Sequence, residues 1–254
     1  MLSCAPSKQA SESSSHFLGL PAQGILAKTV REAVLPKNIQ IWKQALDSLS
    51  TYDHNFARKA MMSQLPTLHN LKIWNCSLTN KCPKCGEDQT NKHVLSNCSS
   101  HDALARYTDR HNRILEIIAK WIVPQLKTSQ LLYCDLSVPG AYSVCDLFNG
   151  VRPDLAVVSP NKIVVGELTV CHETNLIKSR DYKLNKYSNI EAARASEFCN
   201  RPVRVCTIEV STLGLVVAEP DFFKISGLPP FDHRLLKELA TVALALSKAI
   251  YHNK

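Results

Sequence analysis

Two sets of residues in this chain have the types and spacing to do chemistry. The first is a pair of carboxylates, Asp154 and Glu167, followed by Lys183 and Lys186. Asp154 opens the apolar run Leu155 to Val158. The turn signal Ser159-Pro160-Asn161-Lys162 comes next, and Ile163 to Val170 is a second run rich in β-branched residues. A hairpin centred between Pro160 and Asn161 pairs residues whose numbers sum to 321, which sets Asp154 opposite Glu167. Directly opposed residues have Cβ atoms about 5 Å apart, and like charges there are destabilising. A divalent cation between the carboxylates would offset the repulsion, and hard oxygen ligands suit Mg²⁺ (magnesium) or Mn²⁺. On a helix beginning near Thr174, Lys183 shares a stripe with Leu176, Tyr187 and Ile190. Its ammonium can then reach inward, to hold an attacking water or to stabilise charge on a phosphate. Lys186 lies further round the helix and is the second candidate. Pro-Asp is a common dipeptide and a lone strand glutamate is often an edge residue, so the register and the inward lysine carry the expectation.

The second set is Cys82-Pro83-Lys84-Cys85-Gly86, then His93 and Cys98, spaced C-x2-C-x7-H-x4-C. A Cys-x2-Cys turn presents two thiolates to one ion, and His93 and Cys98 around a helical turn complete a tetrahedron. Zinc accepts sulfur and nitrogen together, and four protein ligands leave no open position, so the predicted site is structural. Lys81, Lys84 and Lys92 surround it, which favours contact with a phosphate backbone.

Elements must position both sets. A hairpin needs a neighbouring strand, expected near Tyr142 to Phe148, and Val203 to Val210 reads as another strand after the Thr174–Cys199 helix. Leu213 to Val217 is a candidate edge strand. Upstream, His101 to Val123 has a helical stripe of Leu104, Tyr107, His111, Ile114, Leu115, Ile118, Trp121 and Ile122. The opposite face carries Arg106, Arg110 and Arg113, candidate nucleic-acid contacts, although a solvated helix face explains them as well. Ile39, Trp42, Ala45, Leu46 and Leu49 mark a further helix, Asn55 to Met62 another, and Asp232 to Tyr251 a last amphipathic one.

Composition frames these expectations. The chain has 254 residues, is 45% hydrophobic and carries a net charge of +8. Residues 1–130 hold 16 Lys and Arg against 9 Asp and Glu, whereas 131–254 hold 14 against 13, so the basic half is the expected polyanion surface. Ten cysteines without a secretory leader pattern fit a reducing compartment, cytosol or nucleus. No run of about 18 uncharged apolar residues is present, so no transmembrane helix is expected.

Arg152-Pro153-Asp154, Glu167-Leu168-Thr169 and the run Lys183-Leu184-Asn185-Lys186-Tyr187 together resemble the PD-(D/E)xK nuclease core. Thr169 stands where that pattern usually has lysine, so the lysine must come from the following helix. That arrangement resembles the restriction-like endonuclease of site-specific non-LTR (LINE-type) retrotransposons. The knuckle spacing, the run Leu65-Pro66-Thr67-Leu68-His69-Asn70-Leu71 with Trp74, and Arg106-Tyr107-Thr108 with Arg110-His111-Asn112 are similar to the same elements. The resemblance implies the C-terminal part of such a polyprotein, without the reverse transcriptase, nicking target DNA for integration. It implies Asp154 and Glu167 as magnesium ligands, Lys183 or Lys186 as catalytic lysine, and Glu116 as an extra acidic residue on the first helix. DNA, element RNA and a parent polymerase domain are the implied partners, and the nucleus the implied location. The alternative is a catalytically inactive, retrotransposon-derived zinc protein that binds nucleic acid. The predicted fold is α+β or α/β, a helical N-terminal region with a zinc knuckle before a mixed sheet flanked by helices. Its expected parts are a disordered Ser-rich tail (1–24), a helical linker module (25–75), the knuckle (76–100), the nuclease domain (101–225) and a C-terminal helix (226–254).

Overall fold

The structure, a computed structural model, describes residues 15–20, 23–147, 152–193, 201–217 and 221–254. Its centre is the hairpin of β3 (Leu155–Ser159) and β4 (Lys162–Cys171), paired antiparallel with Leu155 opposite Gly166 and Ser159 opposite Lys162. That is the register the turn chemistry predicts. The helix α6 (Leu176–Ala193) carries the chain from β4 to β5 (Val203–Ser211), which pairs parallel to β4. On the other side β1 (Leu131–Cys134) pairs antiparallel with β3, and β2 (Tyr142–Ser143) pairs parallel with β1. The result is a five-stranded mixed sheet in the order β2-β1-β3-β4-β5, flanked by helices.

The strand expected at Tyr142 to Phe148 is corrected. Only Tyr142 and Ser143 are extended, a 3-10 turn covers Val144–Asp146, and Phe148 lies outside the described residues. The neighbour of β3 is instead the four-residue run Leu-Leu-Tyr-Cys at 131–134, too short for its period to announce it. The candidate edge strand at Leu213 to Val217 is also corrected. After a turn at Gly214 (φ +79°) the chain folds back on β5, bridging Val216 to Val210, and all five residues are buried. A Cβ on Gly214 would lie 2.5 Å from the Ala240 backbone, so this close approach needs glycine.

Alternation along the strands sorts side chains onto two faces. Leu155, Val157, Val164, Leu168, Cys206, Ile208 and Val210 face a large core formed with α5 (His101–Ile122), α7 (Asp221–Ser226) and α8 (His233–His252). Ala156, Val158, Ile163, Val165 and Val203 face the other way, onto Leu147 and the Tyr187 ring of α6. Burying each such aliphatic side chain contributes about 1.5–3 kcal/mol. Asp154 and Glu167 have the parity of the second face, under α6.

The N-terminal helices α1 (Ile25–Ala33), α2 (Pro36–Asp47), α3 (Thr51–Met61) and α4 (Leu68–Ile73) follow. Ser50 caps α3 by accepting from the Asp53 N–H at 3.1 Å. Leu26, Trp42, Ala45, Leu46, Phe56 and Ala60 pack with Leu95, Leu213, Leu215, Ala240 and Leu244. The Trp42 indole donates to the Leu213 carbonyl at 2.8 Å, and the Asn38 amide to the Val216 carbonyl at 3.2 Å. The module expected to be a helical linker over 25–75 therefore shares a core with the C-terminal helix. That helix starts at His233, with Asp232 as its cap. Within the tail expected to be disordered over 1–24, residues 15–19 are helical. No helix among the described residues is long and apolar enough to cross a membrane.

Candidate metal centre and carboxylate site

The knuckle forms locally. The Cys82 N–H donates to the Glu87 carbonyl (2.7 Å) and the Gly86 N–H to the Cys82 carbonyl (2.9 Å), with Gly86 at φ +80° closing the turn. A single helical turn, His93–Asn97, brings His93 and Cys98 back to the two cysteines. The four ligand atoms lie within 4.8 Å of one another. Cys82 Sγ is 4.0 Å from Cys98 Sγ, Cys98 Sγ 3.7 Å from Cys85 Sγ, and Cys85 Sγ 3.4 Å from His93 Nε2. Zn–S bonds of about 2.3 Å in a tetrahedron put sulfurs roughly 3.8 Å apart, so the donor set fits zinc. Burial holds His93 below its ordinary value, hence neutral, the form that ligates metal. The Glu87 backbone N–H helps lower the Cys85 thiol, whereas burial raises that of Cys98. The Tyr107 hydroxyl accepts from the Cys98 N–H (3.2 Å) and donates to the carbonyls of His93 (3.0 Å) and Val94 (2.9 Å), tying the knuckle to α5.

The second centre is assembled from three elements. Asp154 and Glu167 face each other across the base of the hairpin, 7% and 0% exposed. The Asp154 N–H donates to Glu167 Oε1 at 3.1 Å, and the Leu168 N–H to Asp154 Oδ2 at 2.8 Å. Lys183 Nζ reaches in from α6, 2.6 Å from Glu167 Oε2 and 3.2 Å from Asp154 Oδ2. Lys186 instead donates to the Tyr187 hydroxyl at 3.0 Å and lies over that ring, so the structure brings Lys183 to the carboxylates and not Lys186. Tyr187 in turn donates to the Arg152 carbonyl, seating α6 on the hairpin.

One member was not singled out from the sequence. His111 of α5 places Nε2 3.4 Å from Asp154 Oδ2. It sits at helical spacing among apolar residues, so its signal was a polar side chain within an apolar stripe. Burial lowers His111, but the hydrogen bond and charge of Asp154 outweigh it and the imidazole ends above its ordinary value. Burial likewise pushes Asp154 up, yet His111, Lys183 and the Leu168 N–H leave it lowered. Glu167 is raised to about 7 by burial and by the charge of Asp154, partly offset by Lys183. Burial also opposes the Lys183 charge, and the two carboxylates more than restore it. The two carboxylates offer the hard oxygen donors that a magnesium or manganese ion would need, and Lys183 bridges them as they stand.

The other candidates divide. Arg110 is corrected as a nucleic-acid contact: it is 1% exposed, between Ala103 and Ile114 on the buried stripe, and donates to Ser247 Oγ at 2.9 Å. Packing of α5 on α8 as well as on the sheet widens that stripe beyond one face. Leu104, expected on it, is 51% exposed. Glu116 is corrected too, since it pairs with Arg113 (2.6 Å) and Lys120 (2.5 Å) rather than joining the carboxylates. Arg106 donates to the Asn253 carbonyl at 2.9 Å, and Lys84 pairs with Asp102 at 3.2 Å. The Lys92 ammonium has no hydrogen-bond or ion-pair partner among the described residues. The chain matches no protein-family model and no curated protein, so both sites rest on their geometry.

Proposed function

We propose that this chain is a metal-dependent DNA endonuclease of the PD-(D/E)xK type, with a zinc knuckle that helps to hold the nucleic acid. The observation that carries the proposal is the cluster of Asp154, Glu167 and Lys183, with one lysine nitrogen within 3.2 Å of both carboxylates. The hairpin, the crossover helix and a parallel fifth strand support it, because that order is what a nuclease core of this class needs. So does the resemblance to retrotransposon endonucleases, which would make target DNA the substrate, the nucleus the site of action and a polymerase the natural companion.

Asp154 and Glu167 would hold the catalytic ion, which when bound supplies Lewis acidity and lowers the pKa of water. His111 fixes the orientation of Asp154 through its Nε2. Lys183 keeps the two carboxylates together and would turn its ammonium to the negative charge that builds on the phosphate. The test is nicking of supercoiled plasmid by zinc-loaded protein, with Mg²⁺ or EDTA, beside Asp154→Ala. Mg²⁺-dependent nicking lost in the variant is the expected result; nicking that survives Asp154→Ala would overturn the assignment.

One observation favours a second reading. Lys183 already compensates the carboxylates, so the cluster could hold the hairpin to α6 without cleaving anything. The protein would then be an inactive zinc-containing nucleic-acid binder, and DNA binding with no nicking in either protein is its signature.

A further inference from the structure

Away from the carboxylates, α4 and the preceding turn face the knuckle helix and the end of β4 across a cleft of about 380 Å³. Ser63, Gln64, His69, Ile73 and Trp74 line one wall, and Asn91, Lys92 and His172 are among the residues opposite. Among the described residues, no carboxylate lines it. The Leu68 N–H ties the walls together by donating to Gln89 Oε1 at 2.9 Å, and within the far wall the His172 N–H donates to Ser96 Oγ at 3.3 Å.

Three features of this cleft lack a structural purpose. Trp74 is 46% exposed and Ile73 64%, so an aromatic and an aliphatic side chain lie next to each other in the cleft lining. Their position is set by the backbone: Asn75, at φ +58°, ends α4, and the Cys76 N–H closes the turn on the Leu71 carbonyl at 2.7 Å. Asn91 is 5% exposed, yet among the described residues neither its amide oxygen nor its nitrogen has a hydrogen-bond partner. Buried amides without partners are rare and cost free energy. The Lys92 ammonium, without a partner among the described residues, is the third: burial holds the His172 imidazole below its ordinary value, Glu173 beside it opposes that, and the charge of Lys92 adds to the lowering.

We propose that this cleft binds one unpaired nucleotide of a DNA or RNA strand. Trp74, flanked by Ile73, is the stacking platform, because every base has an apolar face. Lys92 supplies the cation for the adjoining phosphate. Asn91 offers a paired donor and acceptor, which is what a base edge presents in return. His172 stands five residues beyond Glu167 and one past the end of β4, about 16 Å of chain at strand spacing, which puts the cleft and the carboxylates on the same stretch of chain. The inference rests on the proposed nucleic-acid substrate but not on its cleavage.

The test measures binding of full-length, zinc-loaded protein, without Mg²⁺, to short DNA and RNA strands and to an abasic DNA strand of equal charge. The wild type is expected to bind base-bearing strands about tenfold more tightly than the abasic one, a difference that Trp74→Ala erases. Asn91→Leu, which removes an unsatisfied amide and should not harm folding, is expected to flatten preferences among bases while leaving abasic binding unchanged. Equal affinity for abasic and base-bearing strands, or a difference that persists in Trp74→Ala, overturns the proposal. Comparing DNA with RNA identifies the strand the cleft takes. Plasmid nicking by the same preparations separates the two ideas. Base-dependent binding without nicking leaves the cleft standing and removes the nuclease, and nicking without base-dependent binding does the reverse.

Discussion

The knuckle and the carboxylate site are both small clusters of polar side chains, built in opposite ways. All four knuckle ligands fall between Cys82 and Cys98, and their turn closes through backbone hydrogen bonds a few residues apart. The carboxylate site draws Asp154 and Glu167 from a hairpin, Lys183 from a helix beyond it and His111 from a helix before it. A local cluster needs its metal to be worth forming, because it has little core of its own. A distributed cluster borrows rigidity from the whole sheet and pays instead in buried charge.

That contrast can be broken most forcefully at the knuckle. A zinc-selective chelator, or Cys82→Ser, removes binding energy on the order of 10 kcal/mol. The loss should spread through Tyr107 and Leu95 into both cores and lower the melting temperature steeply by circular dichroism. A melting curve unmoved by chelation would mean the knuckle folds without metal.

At the distributed site the expected effect is smaller on stability and larger on activity. Lys183→Ala leaves two buried carboxylates without their cation and should cost about 3 kcal/mol in chemical denaturation. Nicking should fall by roughly 10²–10³-fold. Lys186→Ala should leave both within twofold, and an equal loss there would reverse the assignment of the lysine.

His111→Ala is expected to weaken activity by about 10- to 100-fold through the lost orientation of Asp154. Its pH signature follows from the direction of each shift. His111 is raised above 6.5, so the stability it adds is fully present below pH 6.5 and is lost as pH rises through its higher folded value. Asp154 is lowered below 3.8, so its contribution is present above pH 3.8 and disappears as pH falls through the lower value. Glu167, raised to about 7 from 4.5, works the other way and costs stability as pH climbs between those values. In urea titrations, the difference between wild type and His111→Ala should shrink toward alkaline pH; a difference that grew would place the imidazole elsewhere.

The smallest effect is expected at Arg110. Its guanidinium is buried, with Nε and one terminal nitrogen lacking a hydrogen-bond partner among the described residues. Arg110→Met should therefore leave stability unchanged or raise it by about 1 kcal/mol, and leave DNA affinity untouched. A marked loss of DNA binding would restore Arg110 as a contact.

These particulars also mark how far the sequence could be read. Asp154 opposite Glu167 was legible because a four-residue turn signal sets the register of both flanking strands. The direction of Lys183 followed from its spacing to Leu176 and Tyr187 on one helix. The zinc set was legible for the same reason, since its ligands are held by bonds between near neighbours. His111 and Arg110 were not. Both lie on α5, which is packed on the sheet and on α8 at once, and a periodic stripe cannot tell which of two neighbours a polar residue meets. Strand β1 and the shared core of the N-terminal helices escaped as well, because a four-residue apolar run and an amphipathic helix each admit several partners. By itself the sequence determined the hairpin, its opposed carboxylates and the knuckle, where every deciding interaction spans a short stretch of chain. Only the tertiary structure decided that a histidine completes the acidic pair, that one arginine is core rather than surface, and that the helical module is bound to the C-terminal helix. Those outcomes depend on which buried faces meet, and that is settled by packing between segments as much as 200 residues apart.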